Sequence, residues 1–241
     1  MEREGIAVDV FRRKELKFLL NDDQCSVIRD ALQRKMEPDA HGENTICNIY
    51  YDTPDYRLIR HSLEHPVYKE KIRLRSYGVA TADSDIYLEL KKKYKGVVYK
   101  RRVKVTEAEG MAFMDRLGTL RKQNQISREI LYFRDFYKTL QPQVYLCYDR
   151  QAWYDPLDRG FRMTLDRNIR YRTSDLSLSS PCAGREILKQ DQTLLEVKAE
   201  GAVPLWLVEL LTEEQIFKRS FSKYGRAYEQ MLREHLVLQK G

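Results

Sequence analysis

Several segments of the chain alternate apolar and charged residues one for one. In Lys71-Ile72-Arg73-Leu74-Arg75 the odd positions are cationic and the even positions aliphatic. The same rhythm runs through Ile86-Tyr87-Leu88-Glu89-Leu90-Lys91, Phe161-Arg162-Met163-Thr164-Leu165-Asp166 and Leu194-Leu195-Glu196-Val197-Lys198. Side chains alternate faces along a strand, so each segment predicts a strand with one apolar and one charged face. Helical spacing separates them. Asn21-Asp22-Asp23 is a helix-start signal followed by Val27, Ile28, Ala31, Leu32 and Met36, and Thr106-x-x-Glu109 opens a helix from Thr106 to Leu117. Further helices are predicted over Ser127 to Leu140, Pro204 to Ile216 and Tyr224 to Leu236. If helices cover the apolar strand faces, the charged faces turn toward one another around a lumen or deep groove. A concave surface with this many cations is costly without an anion to fill it. The pattern therefore points to a multiply charged, phosphate-like ligand.

The remaining strands fit the same scheme. Phe11 to Leu20 sets Arg13, Glu15 and Lys17 against Leu16, Phe18 and Leu20, and Thr45 to Asp52 ends at Thr53-Pro54-Asp55. Ile86 to Lys93 and Val97 to Val105 form a hairpin across Tyr94-Lys95-Gly96, and Val144 to Arg150 pairs with Arg162 to Asp166. Pro38 to Glu43 reads as a polar loop, Tyr56 to Arg60 as a helical turn and Ser174 to Gly184 as an exposed excursion. Neither an internal repeat nor an interdomain linker interrupts the pattern. The expectation is one α+β domain over residues 1–241, its core spanning about residues 10–236. Its mostly antiparallel sheet can close into a barrel or tunnel with a charged interior, flanked by amphipathic helices.

Composition narrows the partners. The 241 residues carry 43 Lys and Arg against 36 Asp and Glu, a net charge of +7. That balance suits nucleic acid, an anionic membrane surface or a soluble polyanion; the strand phasing favours the last. Cys25, Cys47, Cys147 and Cys182 are scattered without a C-x-x-C pair, which argues against a disulfide framework or zinc ribbon and for a reducing, cytoplasmic setting. No segment reaches the ~18 consecutive apolar residues of a membrane helix, and the N-terminus lacks the apolar stretch of a secretion signal.

The candidate chemistry lies on the charged faces. Arg73 and Arg75, one strand step apart, could grip successive phosphates. Lys91 and Lys93 make a second cationic patch with Lys100, Arg102 and Lys104 across the hairpin. Glu15, Glu89 and Glu196 each sit among cations, where a carboxylate either balances charge or holds a divalent ion that bridges phosphate oxygens; Glu196 is followed by Lys198 on the same face. Ser222-Lys223, ahead of the last helix, is either a plain helix cap or a hydroxyl and ammonium for a phosphate. His61 and His65 have i,i+4 spacing, but Glu64 is misplaced for a zinc-protease motif. No glycine-rich phosphate loop or nucleophile elbow is present, so bound phosphates would meet side-chain cations.

These blocks together resemble the VTC domain, the polyphosphate-polymerase module of the vacuolar transporter chaperone complex. The resemblance rests on Arg13-Lys14-Glu15-Leu16-Lys17-Phe18, Tyr50-Tyr51-Asp52-Thr53, Lys71-Ile72-Arg73-Leu74-Arg75-Ser76-Tyr77-Gly78, Glu89-Leu90-Lys91-Lys92-Lys93, Tyr148-Asp149-Arg150, Leu165-Asp166-Arg167-Asn168, Leu195-Glu196-Val197-Lys198 and Phe221-Ser222-Lys223-Tyr224. They run in order over nearly the whole chain. The resemblance implies the fold of the triphosphate tunnel metalloenzymes and transfer of the γ-phosphoryl of ATP to a growing polyphosphate chain. A divalent metal, typically manganese and otherwise magnesium, would assist. It also implies that Lys17, Arg73, Arg75, Lys91, Lys100, Arg150 and Arg162 are tunnel cations, that Glu196 binds metal, and that Ser222 and Lys223 act at the phosphate end. Arg60 and Lys104 are placed by the same resemblance. Arg150 shares a face with Val144 and Leu146 under strict alternation, so a bulge or strand end is expected to turn it inward.

Three functions follow from one tunnel: a polyphosphate polymerase, a hydrolase of tripolyphosphate or nucleoside triphosphates, and a non-catalytic polyphosphate-binding module. ATP and inorganic polyphosphate are the expected partners. A membrane-protein partner that receives the product is left open, with no membrane segment in the chain itself. Nucleic-acid binding would need stacking aromatics among exposed cations and is not expected.

Overall fold

The computed structural model describes residues 10–11 and 14–238. Among these residues the framework is one antiparallel sheet of ten strands. They are β1 (Val10–Phe11), β2 (Lys14–Leu20), β3 (Glu37–Asp52), β4 (Tyr68–Tyr77), β5 (Asp85–Tyr94), β6 (Val97–Thr106), β7 (Gln141–Tyr154), β8 (Arg162–Arg172), β9 (Arg185–Glu186) and β10 (Thr193–Ala199). The order across the sheet is β1-β6-β5-β4-β3-β7-β8-β10-β2, with β9 on β8. β1 pairs with β6 at one edge and β2 pairs with β10 at the other. Only three peptide steps separate Phe11 from Lys14, so the two edges are held within about 11 Å. The sheet wraps round on itself without a closing ladder among the described residues. An ion pair spans the join, with Lys91 Nζ of β5 3.3 Å from Glu15 Oε2 of β2.

Six helices pack around this sheet: α1 (Asp22–Lys35), α2 (Arg57–Leu63), α3 (Glu107–Met114), α4 (Gln125–Phe136), α5 (Leu205–Glu213) and α6 (Lys223–Leu238). Asn21 caps α1 through a capping box with Gln24, and Thr106 caps α3. On the convex face, Ile72, Leu74, Leu88, Leu90, Val103 and Val105 pack against Phe113 and Met114 of α3 and Ile130 and Phe133 of α4. A second outer core joins Phe18, Met163, Leu165, Leu195 and Val197 to Cys25, Ile28 and Leu32 of α1 and Leu207 of α5. The apolar strand faces are covered from outside, so the charged faces turn inward.

The concave face is not charged throughout. Ile46, Tyr50, Val144, Leu146, Ile169, Tyr171 and Leu194 form a third core with Ile59 of α2 and Tyr224, Ala227 and Tyr228 of α6. One part of the lumen is thus filled by helices. This accounts for Arg150: it needs no bulge, because Val144, Leu146, Tyr148 and Arg150 all face inward and the lining changes from apolar to polar along β7. The bulge lies on β8, where Cys147↔Arg170 gives way to Asp149↔Arg167. Asn168 there has φ +51° and donates from Nδ2 to Asp149 Oδ2 at 2.8 Å. The extra residue shifts the inward phase from Arg162, Thr164 and Asp166 to Ile169 and Tyr171. Asn168→Val is expected to destabilise by about 1–2 kcal/mol, because a β-branched residue resists the left-handed region. Thermal unfolding of this variant beside Asn168→Gly, which keeps the φ but not the hydrogen bond, checks the assignment.

The expected loop at Pro38 to Glu43 is an interruption within β3, where the pairing with β7 skips from Pro38 to Glu43. No described helix is long and apolar enough to cross a membrane.

Candidate functional site

The charged faces enclose a cavity of about 570 Å³. Among the described residues, eleven Lys and Arg side chains line it against three glutamates, an excess larger than the +7 of the whole chain. β2 supplies Glu15 and Lys17; β4 supplies Lys71, Arg73 and Arg75; β5 and β6 supply Glu89, Lys91, Lys100 and Arg102. The far wall consists of Arg150 from β7, Arg162 from β8, Glu196 and Lys198 from β10, and Ser222 and Lys223 at the start of α6. Each strand contributes alternate residues, about 7 Å apart along the wall.

Buried carboxylates hold the cations in place. Glu89, 2% exposed, is met by Arg73 and Arg75 at Oε2 (2.7 and 3.7 Å) and by Lys100 and Arg102 at Oε1 (2.8 and 3.2 Å). Burial works against its charge, but Arg73, Arg75 and Lys100 hold the carboxyl far below the usual range. Arg73 is fixed further by Tyr50, whose hydroxyl accepts from Nη1 at 2.8 Å. Glu89 was expected as a metal ligand. Both of its oxygens lie against cations, and in this structure it is their counter-ion.

A second anchor lies across the lumen. Asp166, fully buried, accepts a bidentate pair from Arg150 (Nε 2.6 Å, Nη2 2.7 Å) and sits 2.5 Å from Lys223 Nζ. Glu196 meets the same Lys223 at 2.8 Å, with Lys17, Arg150 and Lys198 at 3.4, 3.4 and 3.5 Å. Burial disfavours charge on both carboxyls, yet these cations hold both below their ordinary values. Lys223 is correspondingly raised: burial opposes its charge, and Asp166 and Glu196 outweigh that. Tyr148 places its ring under both cations, 5.1 Å from Arg150 and 4.6 Å from Lys223.

Ser222 is a helix cap that stands at the cavity wall. Its Oγ accepts from Gly225 N at 3.1 Å, capping α6, and it also lines the cavity. The helix thus presents its positive end to the lumen.

Not every anticipated residue lies here. Lys93 and Lys104 continue the inward faces past the ends of the cavity. Lys93 is exposed opposite Lys69, and Lys104 sits opposite Tyr87, exposed and 2.6 Å from Asp85. Arg60 is on α2, exposed, and pairs with Asp55. Arg13 lies outside the described residues. Conversely, Lys71, Tyr50, Tyr148 and Asp166 belong to the site or its support without having been singled out. Lys71 and Asp166 already stood in the alternating segments. The two tyrosines carried no charge signal.

A metal would find hard oxygen donors in Glu15 and Glu196, on either side of Lys17, which contacts both (3.6 and 3.4 Å). Burial raises the Glu15 carboxyl, but Lys91 and Lys17 bring it down to about 2, so it is ionised at neutral pH. The described residues contain no group of three or more metal-ligating side chains. Two carboxylates with substrate phosphates completing the shell would suit a hard divalent cation.

An antiparallel sheet wrapped around a lumen of fixed cations, braced by buried carboxylates, defines a triphosphate tunnel protein. Solved structures agree on the fold. A candidate adenylate cyclase from Bacillus halodurans superposes with TM-score 0.55 at 12% identity, over 88% of this chain and 94% of that one. An adenylyl cyclase candidate from Hippeastrum, described as having a dominant triphosphatase activity, gives 0.50 at 17% identity, covering 87% and 92%. A protein from Pyrococcus horikoshii gives 0.50 at 16%, covering 92% and 98%. No curated protein sequence matches significantly. The family model of the VTC domain matches residues 12–232, and the chain belongs to the VTC domain family.

Proposed function

We propose that the protein is a polyphosphate polymerase, passing the γ-phosphoryl group of ATP to the end of an inorganic polyphosphate chain. The observation that carries this reading is the row of cations on alternate strand positions, with carboxylate-braced Arg73 and Arg75 facing Arg150 and Lys223 across the lumen. Phosphoryl transfer requires positioning and charge stabilisation more than covalent chemistry. Arg73 and Arg150 are already oriented by Glu89, Tyr50 and Asp166, so they need no reorganisation when a triphosphate enters. The exposed faces of Lys91, Lys100, Arg102 and Arg162 extend the same field along the wall. A divalent ion held by Glu196 and Glu15 would neutralise part of the phosphate charge. The nucleophile is a terminal phosphate oxygen of the chain. Such an attack asks for no carboxylate base, and Glu89, Asp166 and Glu196 are all engaged by cations.

Hydrolysis of a triphosphate in the same lumen is the second reading, favoured by the triphosphatase activity described for the Hippeastrum protein. Phosphorus NMR of the purified protein with ATP and manganese separates the two. Internal-phosphate signals growing with ADP support the polymerase; orthophosphate with ADP alone supports the hydrolase; intact ATP with retained polyphosphate binding supports the non-catalytic module. Glu196→Gln is expected to raise the manganese concentration needed for half-maximal turnover by about tenfold or more, the scale of a lost charged ligand. An unchanged titration would remove Glu196 from the metal site.

A further inference from the structure

Lys71 differs from every other cation of the lining. Lys17, Arg73, Arg75, Lys91, Lys100, Arg102, Arg150, Arg162, Lys198 and Lys223 each contact a carboxylate. Lys71 contacts none among the described residues. Its Nζ donates to Ser222 Oγ at 2.9 Å, and that oxygen also accepts from Gly225 N. With both acceptor positions used, the serine hydroxyl has its own proton left to donate into the lumen. Lys71 continues the inward row of Arg73 and Arg75, while Ile72 and Leu74 are fully buried on the other face. An ammonium and a hydroxyl proton therefore meet at one point of the wall with no protein anion.

We propose that Lys71 and Ser222 form a proton-coupled phosphate contact, in which the bound polyanion supplies the counter-ion that the protein omits. This deepens the tunnel reading and rests on it. The groups facing Lys71 are Lys69 and Arg73 on its own strand, Lys91 on β5 and Lys17 on β2. The nearby carboxylates are otherwise engaged: Glu15 by Lys91 and Lys17, and Asp52 on β3 by the backbone of α2 and the Tyr224 hydroxyl. Burial first, and then Lys91, Lys17 and Lys69, depress the Lys71 ammonium to about 7. In the empty tunnel this side chain is half neutral near pH 7, which relieves repulsion among the cations. A phosphate beside it restores the charge, so binding draws in a proton. The linkage has a definite sign: a group whose pKa rises on binding takes up protons above its free value, and affinity falls as pH rises through that range.

The test is calorimetric binding of tripolyphosphate in two buffers of different ionisation enthalpy, which yields protons taken up per ligand. At about pH 8 wild type is expected to exceed Lys71→Arg by an amount approaching one proton, because arginine stays charged throughout. Protons released by the ligand itself and protons taken up by Lys198, which burial lowers to about 8, contribute to both proteins and cancel in the difference. Lys71→Arg should retain affinity within a few-fold at about pH 7 and lose most of the decline toward about pH 9. Equal uptake by the two proteins, or the same pH slope, would overturn the proposal. No turnover is involved, so the two readings fail separately. A protein that shows the uptake but makes no chain from ATP keeps this contact and loses the polymerase assignment. One that makes chains while Lys71→Arg keeps the uptake loses only the contact.

Discussion

Replacing Arg73 and Arg75 together by alanine is expected to weaken tripolyphosphate binding by about 10²–10⁴-fold and to abolish ATP turnover. Each guanidinium can make charge-assisted hydrogen bonds to phosphate worth about 1.5–3 kcal/mol, and about 1.4 kcal/mol corresponds to a factor of ten. The fold should persist, since Glu89 keeps Lys100 and Arg102 as partners at Oε1. Lys104→Ala is the matched control. It removes one positive charge from an exposed residue beyond the cavity, paired with Asp85, so its effect should be small and vanish in salt. Calorimetry measures both, with circular dichroism to confirm folding. Full affinity in a folded Arg73→Ala, Arg75→Ala protein would remove this wall from the binding site.

The second large effect concerns stability. Lys223→Met takes from Asp166 and Glu196 the cation they share, leaving two buried carboxylates with Arg150, Lys17 and Lys198. Breaking a buried pair costs about 3–5 kcal/mol, and the remaining bidentate contact of Arg150 places this case at the lower end. For a chain of this size about 3 kcal/mol lowers the melting temperature by about 6–12 °C. The pH dependence follows from the carboxyls. In the intact protein their folded pKa values lie below the ordinary ones. Their contribution is therefore complete above the unfolded pKa near 4 and is lost as pH falls through the folded values. Without Lys223 those folded values rise, and acid unfolding should begin at higher pH. Thermal melts across a pH series measure it. An unchanged melt at neutral pH would show that Lys223 does not brace the two carboxylates.

The sheet and its inward charge could be inferred from the sequence because alternation survives in unbroken runs. Lys71 to Arg75, Glu89 to Lys91 and Glu196 to Lys198 keep their phase from end to end, and helical spacing marked what covers the other face. Three features could not be read that way. Periodicity says which residues share a face but not where along the face a cavity ends, so Lys93 and Lys104 were grouped with neighbours that lie deeper. The phase shift at Asn168 depends on one residue in the left-handed region, which hides the shared face of Asp166 and Ile169. The apolar filling of the lumen by Tyr224, Ala227 and Tyr228 depends on a long-range helix contact, and without it Arg150 looked misdirected beside Val144 and Leu146. Charge alone also leaves a ligand and a brace alike: Glu15, Glu89 and Glu196 all stand among cations, and in each of them both oxygens lie against a cation.

Polymerase action requires transfer to a phosphate chain within the lumen. The direct measurement is a single-turnover incubation with γ-labelled ATP, manganese and polyphosphate of defined length, resolved on a sequencing gel. Label appearing in a product one phosphate longer than the added chain, absent in the Arg73→Ala, Arg75→Ala protein, is the predicted result. Label released only as orthophosphate while the added chain keeps its length would contradict the polymerase.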